Sequence, residues 1–493
     1  MGKLTVNRNI IGVAIMGYGI VGKGVAHVIR HNAGYIEKRT GLKINLLHIL
    51  DILDFPDSID ASIITHDVFD ILRDDSVHIV VETMGGIKTA YDYTKKAFTS
   101  GKHVVTSNKE LVAEYGPELL ALAERHGVDY MFDASVGGGI PAITPIRECL
   151  AANDIQEICG ILNGTTNFIL THMREQGARF DAALRLAQTK GYAEKNPEAD
   201  IEGGDACRKL AILASIAWDA FLDWKTVHSE GIANVTLEDI IRASDLGCAL
   251  KLVARVRRRD DNRFEAYVLP AMIDKRDPLS NVKGVNNAIL VRGDLTGDVI
   301  LYGQGAGMLP TGSAIVSDII KAACETRMFT DDSQSAITPL NDKSQSGDES
   351  QSSDESQFDE KSQGSDISRF GERSQGNDKP QFGERSQGND KLRLLCSNPI
   401  WDRTAALEIA DFPTYVHGYY ARVETPDTDA YRDSLFREFP LARMLPRFET
   451  DKPTCAFIVP PLAENEFAGG LARANKRVAG SGALFVARMF KTP

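Results

Sequence analysis

Residues 10–22, IIGVAIMGYGIVG, decide the architecture of the first part of the chain. The β-branched and apolar run 10–16 has the text of a buried strand. It feeds directly into Gly17-Tyr18-Gly19-Ile20-Val21-Gly22, and KGVAHVIRHNAGYI then carries apolar residues at helical spacing. A GxGxxG motif between a strand and a helix is the fingerprint of a dinucleotide-binding βαβ unit. Gly17 permits the tight turn, Gly19 lets the backbone approach a pyrophosphate, and Gly22 lets helix and strand pack closely. The helix N-terminus, at Ile20 and Val21, then faces the phosphates.

The units that follow extend this Rossmann pattern. A second strand is expected at 43–50, KINLLHIL, ending in Asp51. An acid there accepts hydrogen bonds from the adenosine ribose hydroxyls and favours NAD over its 2′-phosphorylated form. Asp54 competes for the role, and either residue also reads as an ordinary turn aspartate. HIVVETMGG (78–86), a helix over 88–100 and KHVVTSNK (102–109) supply two further strands. Ligands gather at the carboxyl ends of parallel strands, which puts Thr83, Asn108 and Lys109 where nicotinamide or substrate would lie. A lysine after a strand is equally an ordinary surface residue. After a helix over 117–126 come DYMFDAS and Val136-Gly137-Gly138-Gly139-Ile140-Pro141. Three glycines beside a strand end expose backbone carbonyls that, with Asp133, would suit a small cation. The plainer reading is a tight turn.

Composition narrows the classes. The 493 residues suggest two to four domains, and 43% hydrophobic with 25% charged residues is soluble globular text. A net charge of −12 argues against a nucleic-acid footprint. No stretch has the length and apolarity of a membrane span, and the N-terminal text lacks a signal-peptide pattern. The seven cysteines are scattered, without CxxC pairs, as in a reducing cytoplasm.

The chemically richest stretch is 191–209, GYAEKNPEADIEGGDACRK. It places Glu194, Asp200, Glu202, Asp205 and Lys209 within nineteen positions. Asn196-Pro197 and Gly203-Gly204 mark an ordered loop, and helical spacing begins near Asp205. A carboxylate there can cap free N–H groups, and Lys209 projects from the same face four residues on. Spacing alone fits a capped helix with a solvated i,i+4 ion pair just as well.

Taken together, GYGIVGKGV, VVTSNK, VGGGIP, LNGTTNFIL, GYAEKNPEADIEGGDACRKLAIL and GQGAGMLPTGSA (303–314) stand in the order of one family. Over roughly the first 330 residues the chain resembles homoserine dehydrogenase. The resemblance implies interconversion of L-homoserine and L-aspartate 4-semialdehyde by hydride transfer with NAD or NADP, a step toward threonine and methionine. It implies that Lys209 is the general acid/base, that Asp205 holds substrate and lysine, and that Lys109 lies beside cofactor and substrate. Glu194 and Asp200 would belong to the substrate site. Gly191 and Gly305 would join Gly17, Gly19, Ile20, Val21, Gly22, Asp51 and Thr83 around the cofactor. Asp133, Val136, Gly138 and Ile140 match the family's site for a monovalent cation such as Na+, with Asp133 where the family usually carries glutamate. The family's usual arginine before the acid after strand two is Leu50 here, so NAD is preferred. Family members pair through a sheet of the catalytic domain, which implies a homodimer or larger homo-oligomer.

The expected organisation is a Rossmann NAD(P)-binding domain over 1–135, completed by 305–330, and an α+β catalytic and dimerisation domain over 136–304. The latter draws on helices at 206–222 and 236–254 and strands within 264–301. Residues 331–391 repeat FGERSQGNDK and contain almost no aliphatic side chains, which predicts a disordered linker. Residues 392–493 recover globular composition and look like a degenerate ACT-like βαββα module. In it, the glycine-containing turn that binds effector amino acids is missing. Two rival classes are a non-catalytic NAD-binding regulatory protein and aspartate-semialdehyde dehydrogenase. The latter needs a nucleophilic cysteine in a loop with an activating base, whereas Cys149 and Cys207 lie in helical text.

Overall fold

The computed structural model describes residues 9–335, 402–412, 416–445, 454–478 and 481–490. Most of the expected linker, and parts of the C-terminal segment, lie outside the described residues.

The first sheet contains β1 (Ile10–Met16), β2 (Lys43–Leu50), β3 (Ile64–Thr65), β4 (Ile79–Glu82), β5 (His103–Thr106) and β6 (Tyr130–Met131). All its pairs are parallel, in the order β3-β2-β1-β4-β5-β6, the doubly wound arrangement with its switch point beside β1. The strands alternate between two cores. Val13, Ile15, Ile79, Val81 and Val105 face the helices Ile20–His31 and Met308–Ser335. Ala14, Met16, Val80 and Val104 face the helices Lys88–Thr99 and Lys109–His126. The helix expected over 117–126 begins at Lys109, because the Asn108 side chain accepts the Leu111 N–H and starts it there. Pro117 then sits inside the helix rather than at its start.

The second sheet is mixed and large. Its strands are β7 (Ile155–Ile161), β9 (His228–Ser229), β10 (Cys248–Arg258), β11 (Phe264–Asp274), β12 (Asn286–Gly293), β13 (Gly297–Gln304), β15 (Val416–Glu424), β16 (Arg443–Met444), β17 (Thr454–Ala463) and β18 (Gly482–Phe490). The order is β13-β12-β7-β10-β11-β18-β15-β17-β16, with β9 also on β11. A separate pair joins β8 (Ala220–Phe221) to β14 (Asp402–Ala406). The single helix read over 236–254 is instead Leu237–Asp245 followed by β10. Gly247, at φ 74°, ends the helix, and the β10 text, CALKLVARVRR, mixes apolar and basic residues in a way that fits either state.

From β15 onward the segment runs strand, helix Thr428–Glu438, strand, strand, helix Glu464–Arg477, strand. The sequence reading stopped one strand short. That last strand, β18, pairs parallel with β11 through Ala271 and Arg488 and makes one continuous sheet of the C-terminal segment and the middle of the chain. Among the described residues no helix is long and apolar enough to cross a membrane.

Candidate active site

The loop at 191–203 and the helix Gly204–Ala217 lie against the start of the helix Gly164–Gln176, whose N-cap is Asn163. The Asn163 carbonyl Oδ1 accepts the Thr166 N–H (2.8 Å). Its amide is thereby turned outward and donates to Asp200 Oδ1 (2.7 Å) and Asp205 Oδ2 (2.9 Å). Thr165 Oγ1 approaches Asp200 Oδ2 at 2.9 Å. Gly203, at φ 86°, is the N-cap of the next helix, so no side chain caps it. Asp205 therefore does not cap the helix as its position suggests.

It holds two lysines instead. Lys209 Nζ lies 2.9 Å from Asp205 Oδ2 and donates to the Leu162 carbonyl at 2.9 Å, a carbonyl that Asn287 Nδ2 also reaches (2.8 Å). Lys109 Nζ lies 2.8 Å from the other oxygen, Oδ1, which has no partner at hydrogen-bond angles. Asp205 and Lys209 are buried, whereas the Lys109 side chain is 37% exposed. Burial alone would raise the Asp205 pKa, but the ammonium groups of Lys209 and Lys109 outweigh it and hold the carboxyl well below the usual range. Asp205, foremost, raises the pKa of Lys109 in return. The result is a half-open ionic cluster with one exposed ammonium.

Beside Lys109, the carboxyl edge of the parallel sheet carries Glu82, which is fully buried. It accepts the Thr106 hydroxyl (2.6 Å) and the Met84 N–H (2.8 Å), and burial pushes its carboxyl up to about 7. Thr106 Oγ1 accepts the Asn108 N–H (2.9 Å), so Glu82 buttresses the turn that presents Lys109. Sequence reasoning missed Glu82, Asn163 and Asn287 as site residues. The signal for Asn163 was present: an Asn before Gly-Thr-Thr is an N-cap, and its amide must then point elsewhere.

The glycine motif fits a dinucleotide. Gly17 stands at φ 100° and accepts the Thr83 hydroxyl on its carbonyl (2.8 Å). A Cβ on Gly22 would lie 2.0 Å from the Gly17 carbonyl oxygen, whereas one on Gly19 would meet nothing within 4 Å. The helix Ile20–His31 has no side-chain cap and no acid in its first turn. Ile20 is 74% exposed beside this open cradle. Asp51 closes β2 as expected, its carboxylate accepting the N–H groups of Tyr18 (2.6 Å) and Leu53 (3.0 Å). Leu50, however, is buried in the core and does not face a ribose, so its identity carries no argument about the cofactor phosphate.

Other expected residues are placed apart from the lysine cluster. Glu194 is exposed, and among the described residues its carboxylate has no partner. Gly191 is exposed at φ 73°. Gly305 is buried, packed on Asn287 and Gly138. The Asp133 carboxylate accepts three backbone N–H groups, from Ala142 (2.9 Å), Ile143 (2.9 Å) and Thr144 (3.2 Å). A carboxylate so engaged organises the turn after Ile140. Among the described residues no cluster of acidic, His and Cys side chains suits a metal.

Known proteins resemble the chain in these same regions. Residues 17–133 match the family described as "Homoserine dehydrogenase, NAD binding domain", and 141–320 match "Homoserine dehydrogenase". A homoserine dehydrogenase of Neisseria gonorrhoeae is 42% identical over 315 residues, covering 64% of this chain and 72% of the relative. The chain belongs to the homoserine dehydrogenase family. The Pseudomonas aeruginosa homoserine dehydrogenase is 42% identical over 66% of this chain and 75% of its own. A solved homoserine dehydrogenase from Thiobacillus denitrificans superposes with a TM-score of 0.76 at 30% identity, over 98% of both chains. A hyperthermophilic archaeal homoserine dehydrogenase in complex with NADPH superposes at 0.54 with 28% identity, over 64% of this chain and 98% of that one. The lysine–carboxylate cluster thus lies where the two family regions meet.

Proposed function

We propose that Lys209, oriented by Asp205, moves the proton on the substrate hydroxyl while Lys109 and Asp200 complete the substrate pocket. The chain is an NAD(P)-dependent oxidoreductase acting on the CH–OH group of homoserine, and it interconverts L-homoserine and L-aspartate 4-semialdehyde. The observation that carries the residue roles is the single buried carboxylate that pairs with Lys209 on one oxygen and Lys109 on the other.

The nicotinamide supplies the hydride acceptor or donor when bound; Gly17, Gly19, Ile20, Val21, Gly22, Asp51 and Thr83 would hold it, with Gly191 and Gly305 at the margin. The protein's task is alignment and one proton. Asp205 fixes the Lys209 side chain, and the Leu162 carbonyl takes a second N–H. An ammonium has three donors, which leaves one for the substrate oxygen. For oxidation Lys209 first gives that third proton to solvent. As hydride leaves the carbinol carbon, the substrate oxygen becomes a carbonyl and its proton passes to the lone pair of the neutral Lys209 amine, whose two remaining N–H groups stay on Asp205 and the Leu162 carbonyl. In the reverse direction the same ammonium stabilises developing alkoxide charge and returns the proton. Lys109 is the more exposed of the two and faces arriving substrate. Asp200 and Glu194 would take the substrate ammonium. Glu194 requires the loop to fold inward for this, and Asp200 is already fixed by Asn163 and Thr165. Asp133, with the carbonyls of Val136, Gly138 and Ile140, would hold a monovalent cation, and the residue roles above do not depend on it.

The remaining expectations rest on narrower ground. The Asp51 carboxylate at the end of β2 supports NAD as the preferred cofactor. β13, at one edge of the second sheet, exposes Ile300 and Tyr302 and supports pairing of two copies. The strand–helix–strand–strand–helix–strand order of 416–490 supports the ACT-like reading, and the composition of 331–391 supports a linker. A cytoplasmic location agrees with the scattered free cysteines. Burial raises the Cys207 thiol to about 11, the opposite of an activated nucleophile. The test is reduction of NAD+ and then NADP+ by L-homoserine, followed by nicotinamide absorbance. Silence with both, while the protein still binds NADH, would favour the non-catalytic regulatory reading.

A further inference from the structure

We infer that Arg488, on the last strand of the chain, is a positioning residue for the substrate loop. The inference rests on the placement of Asp200 and Asp205 in the substrate site proposed above.

Arg488 is 4% exposed. Its guanidinium grips both carboxylate oxygens of Glu230, with Nη2 2.6 Å from Oε1, and also pairs with Glu464 of the C-terminal helix. Glu230 belongs to the short segment 228–232, which begins with β9. Its own N–H is held by the Val268 carbonyl (2.8 Å), and its Oε1 meets His228 Nε2 at 2.9 Å. The same segment carries the substrate loop on its other side. Ser229 Oγ donates to the Glu202 carbonyl (2.7 Å), and the Ile232 N–H donates to the Ile201 carbonyl (2.9 Å).

The two segments approach closely at two glycines. A Cβ on Gly231 would fall 2.5 Å from the Ile201 carbonyl oxygen, and one on Gly203 would fall 2.7 Å from Ser229 Oγ. Residues 201–203 lie between Asp200 and the helix start that carries Asp205 and Lys209. A continuous chain of contacts therefore runs from Arg488 through Glu230 and 229–232 to 201–203, and so to both active-site aspartates. A cavity of about 460 Å³, lined by Glu202, Glu230, Glu464 and Arg488 among others, opens along this seam and gives the segment room to shift if the clamp is released.

A second buried pair, Arg422 with Asp239, joins the same C-terminal segment to the same domain at the helix Leu237–Asp245. Arg422 also donates to the Asn234 carbonyl (3.3 Å), just beyond 228–232, and so holds the domain without gripping Glu230. It provides the control that separates positioning from docking.

The experiment is steady-state kinetics of the full chain with Arg488→Met, Arg488→Lys, Glu230→Gln and Arg422→Met. Arg488→Met is expected to raise the homoserine KM on the order of tenfold, the scale of residues coupled to a site without touching it, and to leave the cofactor KM unchanged. Arg488→Lys should restore part of that loss, and Glu230→Gln, which keeps the side-chain shape, should act in the same direction as Arg488→Met. Arg422→Met should lower thermal stability with homoserine KM unchanged. Equal KM effects from Arg488→Met and Arg422→Met would overturn the inference in favour of simple docking. So would an unchanged homoserine KM in Arg488→Met or, should that variant not fold, in Glu230→Gln. Asp200→Asn separates the two levels: if it leaves homoserine KM unchanged, the site reading itself fails, whereas a raised KM there with none in the Arg488 and Glu230 variants sinks only the clamp.

Discussion

Lys209 and Asp205 form an i,i+4 ion pair that is buried, with 9% and 4% of their side chains exposed. On a solvated helix face such a pair contributes a few tenths of a kcal/mol. Here it is the centre of a cluster that also engages Lys109, Asn163 and the Leu162 carbonyl. Burial turns a weak surface contact into a fixed orientation for two ammonium groups.

Removing the carboxylate should therefore leave two neighbouring cations without their shared partner. Asp205→Asn is expected to destabilise the fold by about 3–5 kcal/mol at neutral pH, the usual cost of breaking a buried pair. The sign with pH follows from the depressed carboxyl: its contribution is present above the unfolded pKa of about 4 and is lost as pH falls through the folded value. Urea unfolding at neutral and acidic pH should show the gap between wild type and variant closing below pH ~4.

Glu82 gives the opposite dependence. Its carboxyl is raised to about 7 by burial, so the folded state holds a proton that the unfolded chain releases near pH ~4.3. Stability from this group is full below ~4.3 and falls as pH rises toward 7, by roughly 3 kcal/mol in all. Glu82→Gln should flatten the melting temperature against pH across that window. A slope equal to that of wild type would contradict the assignment.

Gly19 and Gly22 should separate binding from folding. Gly19→Ala meets open space at φ −73°, so stability should hold within ~1 kcal/mol, while the methyl occupies the phosphate cradle and raises cofactor KM on the order of tenfold. Gly22→Ala drives a methyl into the Gly17 carbonyl and should lower the yield of folded protein. Fluorescence titration with NADH, beside thermal melts, distinguishes the two.

Much of the nucleotide domain was legible because its signals are local. β1 and β2 fall at the residues that apolar runs and the glycine motif mark, and Lys209 follows Asp205 by one helical turn. Long-range geometry was not legible. Residues 248–258 form a strand where a helix is expected, because an 11-residue run of mixed apolar and basic residues fits either state until its partners β7 and β11 are in place. Leu50 stands next to the acid that ends β2, and only the fold shows its side chain packed in the core. Asp133 has the chemistry of a cation ligand, and only the fold shows three amides taking its oxygens. Asn163 acquires its role because the loop at 200–205 comes back to it across more than thirty residues of chain. Arg488 meets Glu230 across 258 residues, a pairing no local pattern contains.

The central claim is that Lys209 manages the proton, and Lys209→Ala tests it most directly. The measurement is the rate of reduced-nicotinamide formation from L-homoserine, with NADH affinity determined in parallel by fluorescence. The account predicts a loss in kcat of about 10²–10⁴-fold with cofactor affinity unchanged, the range of a lost general acid/base. Turnover near the wild-type rate, or a loss explained wholly by weaker NADH binding, would contradict it.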